Sequence, residues 1–210
     1  MQTRRSLITA LVAAGPVASF LAAAPGARAD DLSAARAMIE STGNQMVSII
    51  NSSAGAAQKQ AEFQRLVFAN VDVDGVARFV LGRFWRIATP AQQQTYLETF
   101  RQLLVYAVTG QTSAFQGATF TMDSVTQQPV GIVVGTTVNV PGKPPATVQW
   151  VVAMMNGQPK IIDILAEGTS LRLTERNDYA GVISQHGGQI QPLIDAMRNQ
   201  LARFQANPTG

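Results

Sequence analysis

The chain of 210 residues contains 46% hydrophobic and only 14% charged residues, which excludes an intrinsically disordered protein and allows a sizeable folded core. It has no cysteine, so disulfides, thiolate metal ligands and cysteine nucleophiles are excluded. Its formal charge of +3 at pH 7 favours an acidic partner such as nucleic acid, provided that the basic residues belong to the folded domain.

Residues 1–29 have the pattern of a secretory signal peptide. Arg4 and Arg5 precede an apolar run over residues 7–24, and small residues occupy the positions before a cleavage site after Ala29. We expect cleavage there, with export by the Sec route or by the twin-arginine route that the two arginines also fit. An uncleaved membrane anchor is the alternative, although glycine and proline interrupt the run.

The charge of the expected mature chain removes the case for nucleic acid. Residues 1–29 contain three of the 16 basic residues and no acidic ones, so 13 basic and 13 acidic residues remain. The densest basic segment, 78–86, mixes its arginines with large apolar side chains. Because nucleic-acid binding requires a positive surface that faces the phosphates, we expect no nucleic-acid partner.

The periodicity of apolar residues predicts three helices before residue 83. The first extends over residues 30–53, and two aspartates favour its positive N-terminal end. The second is centred on Phe63. The third is short, with Asp74 as its predicted cap, and stops near Gly82.

The clearest helix boundary in the sequence lies at Thr89. This residue is predicted to be an N-cap, Pro90 fits the first helical position, and Gln92 completes a capping box. Apolar residues at helical spacing follow, and they predict a long helix that ends at about Phe115.

After the fourth helix the pattern changes to the alternation of β-strands. Four strands are predicted, over residues 120–125, 132–140, 148–154 and 160–165. Turn residues at 141–145 and at Asn156-Gly157 separate the last three strands. A helix capped by Thr174 is predicted to reach residue 185, and a last helix extends over residues 190–204.

This order of elements predicts an α+β fold. Sequential strands joined by short turns form an antiparallel sheet, and helices from both ends of the chain must cover one face of it. We therefore expect a curved four-stranded antiparallel sheet covered by N- and C-terminal helices, with an apolar pocket enclosed between them. A single domain is expected over residues 30–206, followed by a flexible tail over residues 207–210.

Residues suited to catalysis are scarce. The single histidine, His186, lies at a predicted helix C-terminus, where a capping role explains it. No common nucleophile, nucleotide or metal motif is present, and a metal site would depend on carboxylates alone. Asp163 lies in the fourth strand, where it is expected to face one side of the sheet or to pair with an arginine. We expect no catalytic residue, no metal site and no cofactor.

Two segments contain more large apolar residues than one buried stripe requires. Residues 79–85 are almost continuously apolar, and the third strand is apolar on both faces over residues 150–155. Either these segments form an unusually thick core, or they surround a deep pocket for an aliphatic cargo.

Several motifs in the same order resemble the MlaC family. The matching segments include FVLGRFWR at 79–86, residues 89–92, residues 100–104, Trp150, IDILAEGTSL at 162–171, residues 176–179 and the glycine pair at 187–188. The first and fifth of these form a fairly specific pair. The resemblance extends over residues 30–204, which is nearly all of the expected mature chain.

The resemblance implies a periplasmic phospholipid shuttle of a Gram-negative cell, with a role in outer-membrane lipid asymmetry. Such a protein holds acyl chains in an apolar pocket. It moves lipid between an outer-membrane lipoprotein complex and an inner-membrane MCE-domain ABC transporter complex. A hopanoid-associated branch of the family shares the pattern, so a hopanoid or another polycyclic lipid is an alternative cargo.

The predicted lipid-binding residues come from the second and third strands, the long helix and the segment that precedes it. They are Leu81, Phe84, Trp85, Phe100, Leu104, Val108, Val134, Val138, Val148, Trp150 and Val152. Ordinary core packing explains each of these residues equally well. Arg83 and Arg86 are expected either to meet a lipid phosphate or to pair with Asp163 or Glu167.

Two functions of other classes stay open at this point. An isomerase-like enzyme of a cone-shaped α+β fold predicts a carboxylate that projects into the hollow. A structural or chaperone role predicts binding of unfolded outer-membrane proteins.

Overall fold

The computed structural model describes residues 29–110 and 112–206. Residues 1–28 of the predicted signal peptide and the predicted tail over residues 207–210 lie outside the described residues. Within the described part of the chain, no helix has both the length and the apolar character needed to span a membrane.

Six α-helices and five β-strands form in the described residues. The helices are α1 (Ala29–Asn51), α2 (Ala56–Asn70), α3 (Val73–Leu81), α4 (Pro90–Thr109), α5 (Leu171–Gln185) and α6 (Gln191–Ala206). The strands are β1 (Thr119–Gln128), β2 (Gly131–Asn139), β3 (Ala146–Met155), β4 (Gln158–Ala166) and β5 (Thr169–Ser170). Short 3₁₀ helices over Gly82–Arg86 and Thr112–Phe115 follow α3 and α4.

The predicted α+β class is confirmed, with one strand more than expected. Neighbouring strands in the order β1-β2-β3-β4-β5 are all antiparallel, so the sheet is a simple meander. The additional strand, β5, has two residues and pairs with the end of β4. The hairpin between β3 and β4 forms as predicted, since Asn156 and Gly157 have φ angles of 51° and 76° that suit a type I′ turn.

Two predicted helix starts are wrong by a few residues. The cap of α3 is Asp72, whose carboxylate accepts a hydrogen bond from the Gly75 backbone, while Asp74 lies inside the first turn. The cap of α5 is Ser170, whose hydroxyl accepts from Leu173, so the helix begins one turn before Thr174. In both cases two residues suited to capping lie close together, and the earlier one is used.

The start of α4 is confirmed in detail, but its predicted end is wrong. The Thr89 hydroxyl accepts from the Gln92 backbone, and the Gln92 side chain accepts from the Thr89 backbone, which completes the capping box. The helix ends at Thr109 rather than at Phe115, because Gly110 acts as the C-cap and a separate 3₁₀ turn follows. At the end of α5, His186 is the C-cap, as predicted.

Buried apolar residues of the described chain form two large clusters. The helical core consists of Val67, Val73, Ala77, Val80, Leu81, Phe84, Ala88, Tyr96, Phe100, Leu103, Tyr179, Ile183, Ile190, Leu193, Ile194, Met197 and Leu201. The sheet core consists of Ala35, Ile39, Ile132, Val134, Val152 and Ile161, so it joins α1 to the sheet. A smaller group that includes Phe63 and Leu66 joins α1 to α2. The space that these clusters leave between them is the candidate site.

Candidate functional site

An interior cavity of about 410 Å³ lies where the helices separate from the sheet. Residues from all six helices and from β3 and β4 line it, and most of them are aliphatic or aromatic. A volume of this size falls within the range of about 300–1,000 Å³ that small-molecule sites occupy. The lining reaches the protein surface at Ala107, Leu171, Thr174 and Gln200, which lie on α4, α5 and α6. The cavity therefore opens between these three helices.

One wall of the cavity is a single face of α4. Phe100, Leu104 and Val108 are four residues apart and therefore lie above one another along the helix. Phe63 and Leu66 of α2 face the same space. The helical periodicity that predicts α4 thus also produces a continuous apolar surface.

Trp150 of β3 forms part of the opposite wall, and its orientation is fixed by hydrogen bonds. Its indole N–H donates to the Thr136 hydroxyl over 3.0 Å, and that hydroxyl donates to the Val148 carbonyl oxygen over 3.0 Å. Thr136 is fully buried between neighbouring strands. The polar edge of the indole is therefore satisfied within the sheet, and Trp150 contributes to the lining of the cavity.

The predicted lipid-binding residues divide into two groups. Phe100, Leu104, Val108 and Trp150 line the cavity. The others lie outside its lining: Leu81 and Phe84 in the helical core, Trp85 packed against it, Val134 and Val152 in the sheet core, and Val138 and Val148 half-buried on the sheet. A lipid contact for any of the eleven stays a prediction.

Several cavity residues were not predicted from the sequence. They come mainly from α2, β4 and α5, and they include Phe63, Leu66, Ile161, Ile162, Ile164 and Leu171. The apolar spacing of α2 and β4 was visible in the sequence as core-forming pattern, but that pattern does not reveal which apolar faces meet a hollow.

The ionisable residues of the cavity gather at the junction of β4 and α5. The Asp163 carboxylate is 7% exposed and accepts hydrogen bonds from the backbone N–H groups of Ile164 and Arg172 and from the Ser170 hydroxyl. The Arg172 Nε lies 3.2 Å from the Asp163 Oδ2. Asp163 therefore both anchors the start of α5 and neutralises Arg172.

Asp163 pairs with an arginine, as one of its two alternatives predicted, but the partner is Arg172 and not Arg83 or Arg86. Both of those arginines are exposed and lie outside the cavity lining, and the Arg83 guanidinium stacks on its neighbour Phe84. The earlier start of α5 explains the difference, because it brings Arg172 beside the end of β4.

Arg172 is held on its other side by an aromatic ring. Its guanidinium carbon lies 4.3 Å from the centre of the Phe79 ring, and the Arg176 guanidinium carbon lies 4.9 Å from the same centre. The Arg176 Nη1 also donates to the Phe79 carbonyl oxygen over 2.9 Å. These contacts fix the first two turns of α5 against α3.

Glu175, one turn after Arg172, is a half-buried carboxyl group in the cavity lining. Burial raises its pKa above the ordinary glutamate value, a hydrogen bond from the Tyr179 hydroxyl opposes this rise, and the nearby charge of Asp178 adds to it. Burial also raises the pKa of Tyr179, and the charge of Glu175 adds to that rise, so the tyrosine stays a neutral donor. Glu175 and Tyr179 thus place a carboxyl group and a hydroxyl group in the otherwise mainly apolar lining of the cavity.

A second concavity, beside Phe68 on α2 and the start of α3, is a shallow surface groove. Its charged residues already have partners, since Arg101 makes two hydrogen bonds to Asp74 and Asp72 caps α3. No group of three or more potential metal ligands occurs in the described residues. The interior cavity is therefore the stronger candidate for a binding site.

Comparison with known proteins places these features in a family. The MlaC protein family model matches residues 40–199 of the chain. The fold is similar to that of a phospholipid-binding protein from Ralstonia solanacearum whose structure was solved in complex with a phospholipid. The two share 25% sequence identity and a TM-score of 0.70, and the match covers 81% of this chain and 98% of that one. Since the family match spans more than half of its length, the chain belongs to the MlaC family.

Proposed function

We propose that this protein binds phospholipid and carries it as a periplasmic shuttle, with the acyl chains in the interior cavity. The observation that carries the proposal is the apolar cavity of about 410 Å³ between the helices and the sheet. Each methylene group that leaves water gains roughly 0.8 kcal/mol, so an acyl chain partitions strongly into such a space. The phospholipid-bound relative, with the same fold, supports the same conclusion.

The transport context forms part of this proposal. The signal-peptide pattern of residues 1–29 supports export to the periplasm. Membership of the MlaC family supports exchange of lipid with an outer-membrane lipoprotein complex and an inner-membrane MCE-domain ABC transporter complex. A hopanoid or another polycyclic lipid is the alternative cargo, and identification of the bound molecule separates it from phospholipid.

Lipid extraction from the purified protein tests binding directly. The protein is produced in cells, purified without detergent and analysed by native mass spectrometry and by mass spectrometry of the extracted lipids. We expect phospholipid in a near-stoichiometric amount. A folded sample that contains no lipid and takes none from vesicles would refute the proposal.

The two tryptophans allow the site to be located. Trp150 lines the cavity, whereas Trp85 packs against the helical core. Phospholipid with brominated acyl chains should therefore quench the fluorescence of the Trp85→Phe variant, which retains Trp150, and leave that of the Trp150→Phe variant almost unchanged. Equal quenching of both variants would place the acyl chains elsewhere.

An isomerase-like enzyme is the second candidate, because one observation favours it. Glu175 and Tyr179 lie one helical turn apart on α5 and both line the cavity, as an acid–base pair would. We propose binding rather than catalysis, because Asp163 is occupied by its hydrogen bonds and by Arg172, and because the family match and the lipid-bound relative support a binding protein. Turnover of a cyclic ketone that the Glu175→Gln variant loses would reverse this choice.

A further inference from the structure

The polar side chains of the cavity differ in whether the protein already satisfies them. The Thr42 hydroxyl donates to the Met38 carbonyl oxygen and the Asn70 amide to the Leu66 carbonyl oxygen, so both are occupied within their own helices. The charged groups of the lining are Asp163, Arg172 and Glu175, and all three lie at the β4–α5 junction. This junction is close to the opening, since Leu171 and Thr174 of α5 reach the surface there.

Within this group, Arg172 brings no surplus positive charge. Asp163 offsets its charge at 3.2 Å, and the Phe79 ring holds the guanidinium from the other side at 4.3 Å. Its buried Nε nevertheless makes no hydrogen bond of good geometry to any described residue. Asp163 and Phe79 therefore hold the Arg172 guanidinium in place, and the side chain is 18% exposed, so its terminal Nη groups rather than the buried Nε are the donors suited to a phosphate.

Once Asp163 and Arg172 are paired, Glu175 is the remaining charged residue of the cavity lining. No lysine or arginine forms an ion pair with it among the described residues, and its neighbours are the Tyr179 hydroxyl and the acidic Asp178. A carboxylate that is partly withdrawn from water gains most from a cation that hydrogen-bonds to it directly. The protein does not supply that cation in the described residues, so a ligand can.

We propose that Glu175 is a specificity-determining residue that selects zwitterionic, amine-bearing lipids by pairing with the headgroup ammonium. The Arg172 guanidinium, paired with Asp163, lies one helical turn away, and its terminal Nη groups would donate to the adjacent phosphate, so the two charges of the headgroup would meet two different groups. A phosphodiester without an amine lacks a partner for Glu175 and is repelled by it. This inference rests on the proposed function, because it assigns the headgroup of the lipid whose chains fill the cavity.

A competition between two phospholipids tests the inference. Delipidated protein is incubated with vesicles that contain equal amounts of phosphatidylethanolamine and phosphatidylglycerol with identical acyl chains, and the headgroups recovered with the protein are quantified by mass spectrometry. We expect about tenfold enrichment of phosphatidylethanolamine, the effect of one charge-assisted hydrogen bond. The Glu175→Gln variant should recover the two lipids in equal amounts.

The control is Glu98→Gln, which removes the same charge from an exposed site on α4 outside the cavity lining. It should keep the full enrichment. Equal recovery of both lipids by the unaltered protein, or enrichment that survives Glu175→Gln, would overturn the inference and leave the proposed function intact. Recovery of neither lipid would instead refute the proposed function itself.

Discussion

Tyr96 and Leu104 lie about two turns apart on α4 and have very different surroundings. The Tyr96 ring is fully buried, lies within 6.5 Å of the rings of Trp85, Phe100 and Tyr179, and its hydroxyl donates to the Ala77 carbonyl oxygen. Leu104 is only partly buried and borders the cavity. One helix therefore contributes to a closed core at its start and to a hollow further along.

The geometry of the fold explains this difference. Near Tyr96, α3, α4, α5 and α6 pack on one another, and aromatic rings fill the space between their axes. Near Leu104, the opposite surface is α2 and the sheet, with Trp150 and β4 across the gap. Side chains of the same apolar character thus produce stability in one region and binding capacity in the other, according to how far apart the elements are held.

The first test of this comparison truncates one leucine in each region. Leu81 of the helical core is 1% exposed, and Leu81→Ala should lower the free energy of unfolding by about 3 kcal/mol, because it leaves a cavity among close-packed neighbours. Leu104→Ala should lower it by about 1 kcal/mol or less, since one side of Leu104 already faces an open space. Urea unfolding followed by circular dichroism measures both.

The same two variants should have the opposite order of effects on lipid binding. Leu104→Ala removes apolar surface that the proposal assigns to the acyl chain, whereas Leu81→Ala leaves the cavity wall unchanged. A lipid-free Leu104→Ala variant that is destabilised as much as Leu81→Ala would show that Leu104 is part of the closed core.

A second test concerns how tightly the start of α5 is held against the helical core. Gly82 has a φ of +58°, and a Cβ atom there would lie 2.9 Å from the Arg176 guanidinium carbon. Gly82→Ala should therefore destabilise the protein by about 1–2 kcal/mol, through backbone strain and displacement of Arg176 from Phe79. Thermal unfolding with matched buffer conditions measures the loss.

The matched control for this substitution is Gly181→Ala. Gly181 lies inside α5, and a Cβ atom there would have no neighbour within 4 Å. Alanine should stabilise the helix at this position by up to about 1 kcal/mol. Equal destabilisation by both substitutions would show that the effect at Gly82 is unrelated to its contact with Arg176.

The sequence predicted the fold better than it predicted the site, and the residues of α4 and α5 show why. The spacing of Phe100, Leu104 and Val108 predicts one face of a helix, and that face lines the cavity. The apolar segment at Leu81 and Phe84 has the same character, yet it lies in the helical core, because composition does not reveal the distance to the opposite surface.

Whether the sequence could predict the charged residues of the cavity depended on which residue caps α5. With Thr174 as the expected cap, Arg172 lies before the helix and bears no relation to Glu175. With Ser170 as the cap, Arg172, Glu175 and Tyr179 lie on neighbouring turns of α5, and all three line the cavity. Ser170 was a possible cap in the sequence, but Thr174, four residues later, is an equally suitable cap, so the sequence alone did not distinguish them.

The smallest predicted effect is a pH dependence of the stability, caused by Glu175 in the cavity lining. Burial raises the pKa of Glu175 in the folded protein, so the folded state retains a proton that the unfolded chain releases. The stability that this proton provides is present at low pH and is lost as the pH rises from the ordinary glutamate pKa through the raised value. Glu175→Gln removes the penalty for the ionised form, so this variant should match the unaltered protein at low pH and exceed its stability at neutral pH.

Thermal unfolding of lipid-free protein across this pH range measures the effect, which should be well below that of Leu81→Ala because Glu175 is partly exposed. Glu98→Gln again controls for the loss of one acidic residue at an exposed site. Addition of phosphatidylethanolamine should reduce the advantage of Glu175→Gln, since a bound ammonium would stabilise the carboxylate that the variant lacks. A Glu175→Gln variant that is less stable than the unaltered protein at neutral pH would mean that the Glu175 carboxylate stabilises the fold. Glu175 would then belong with the residues of the closed core, and the contrast between the core and the cavity would not hold at this residue.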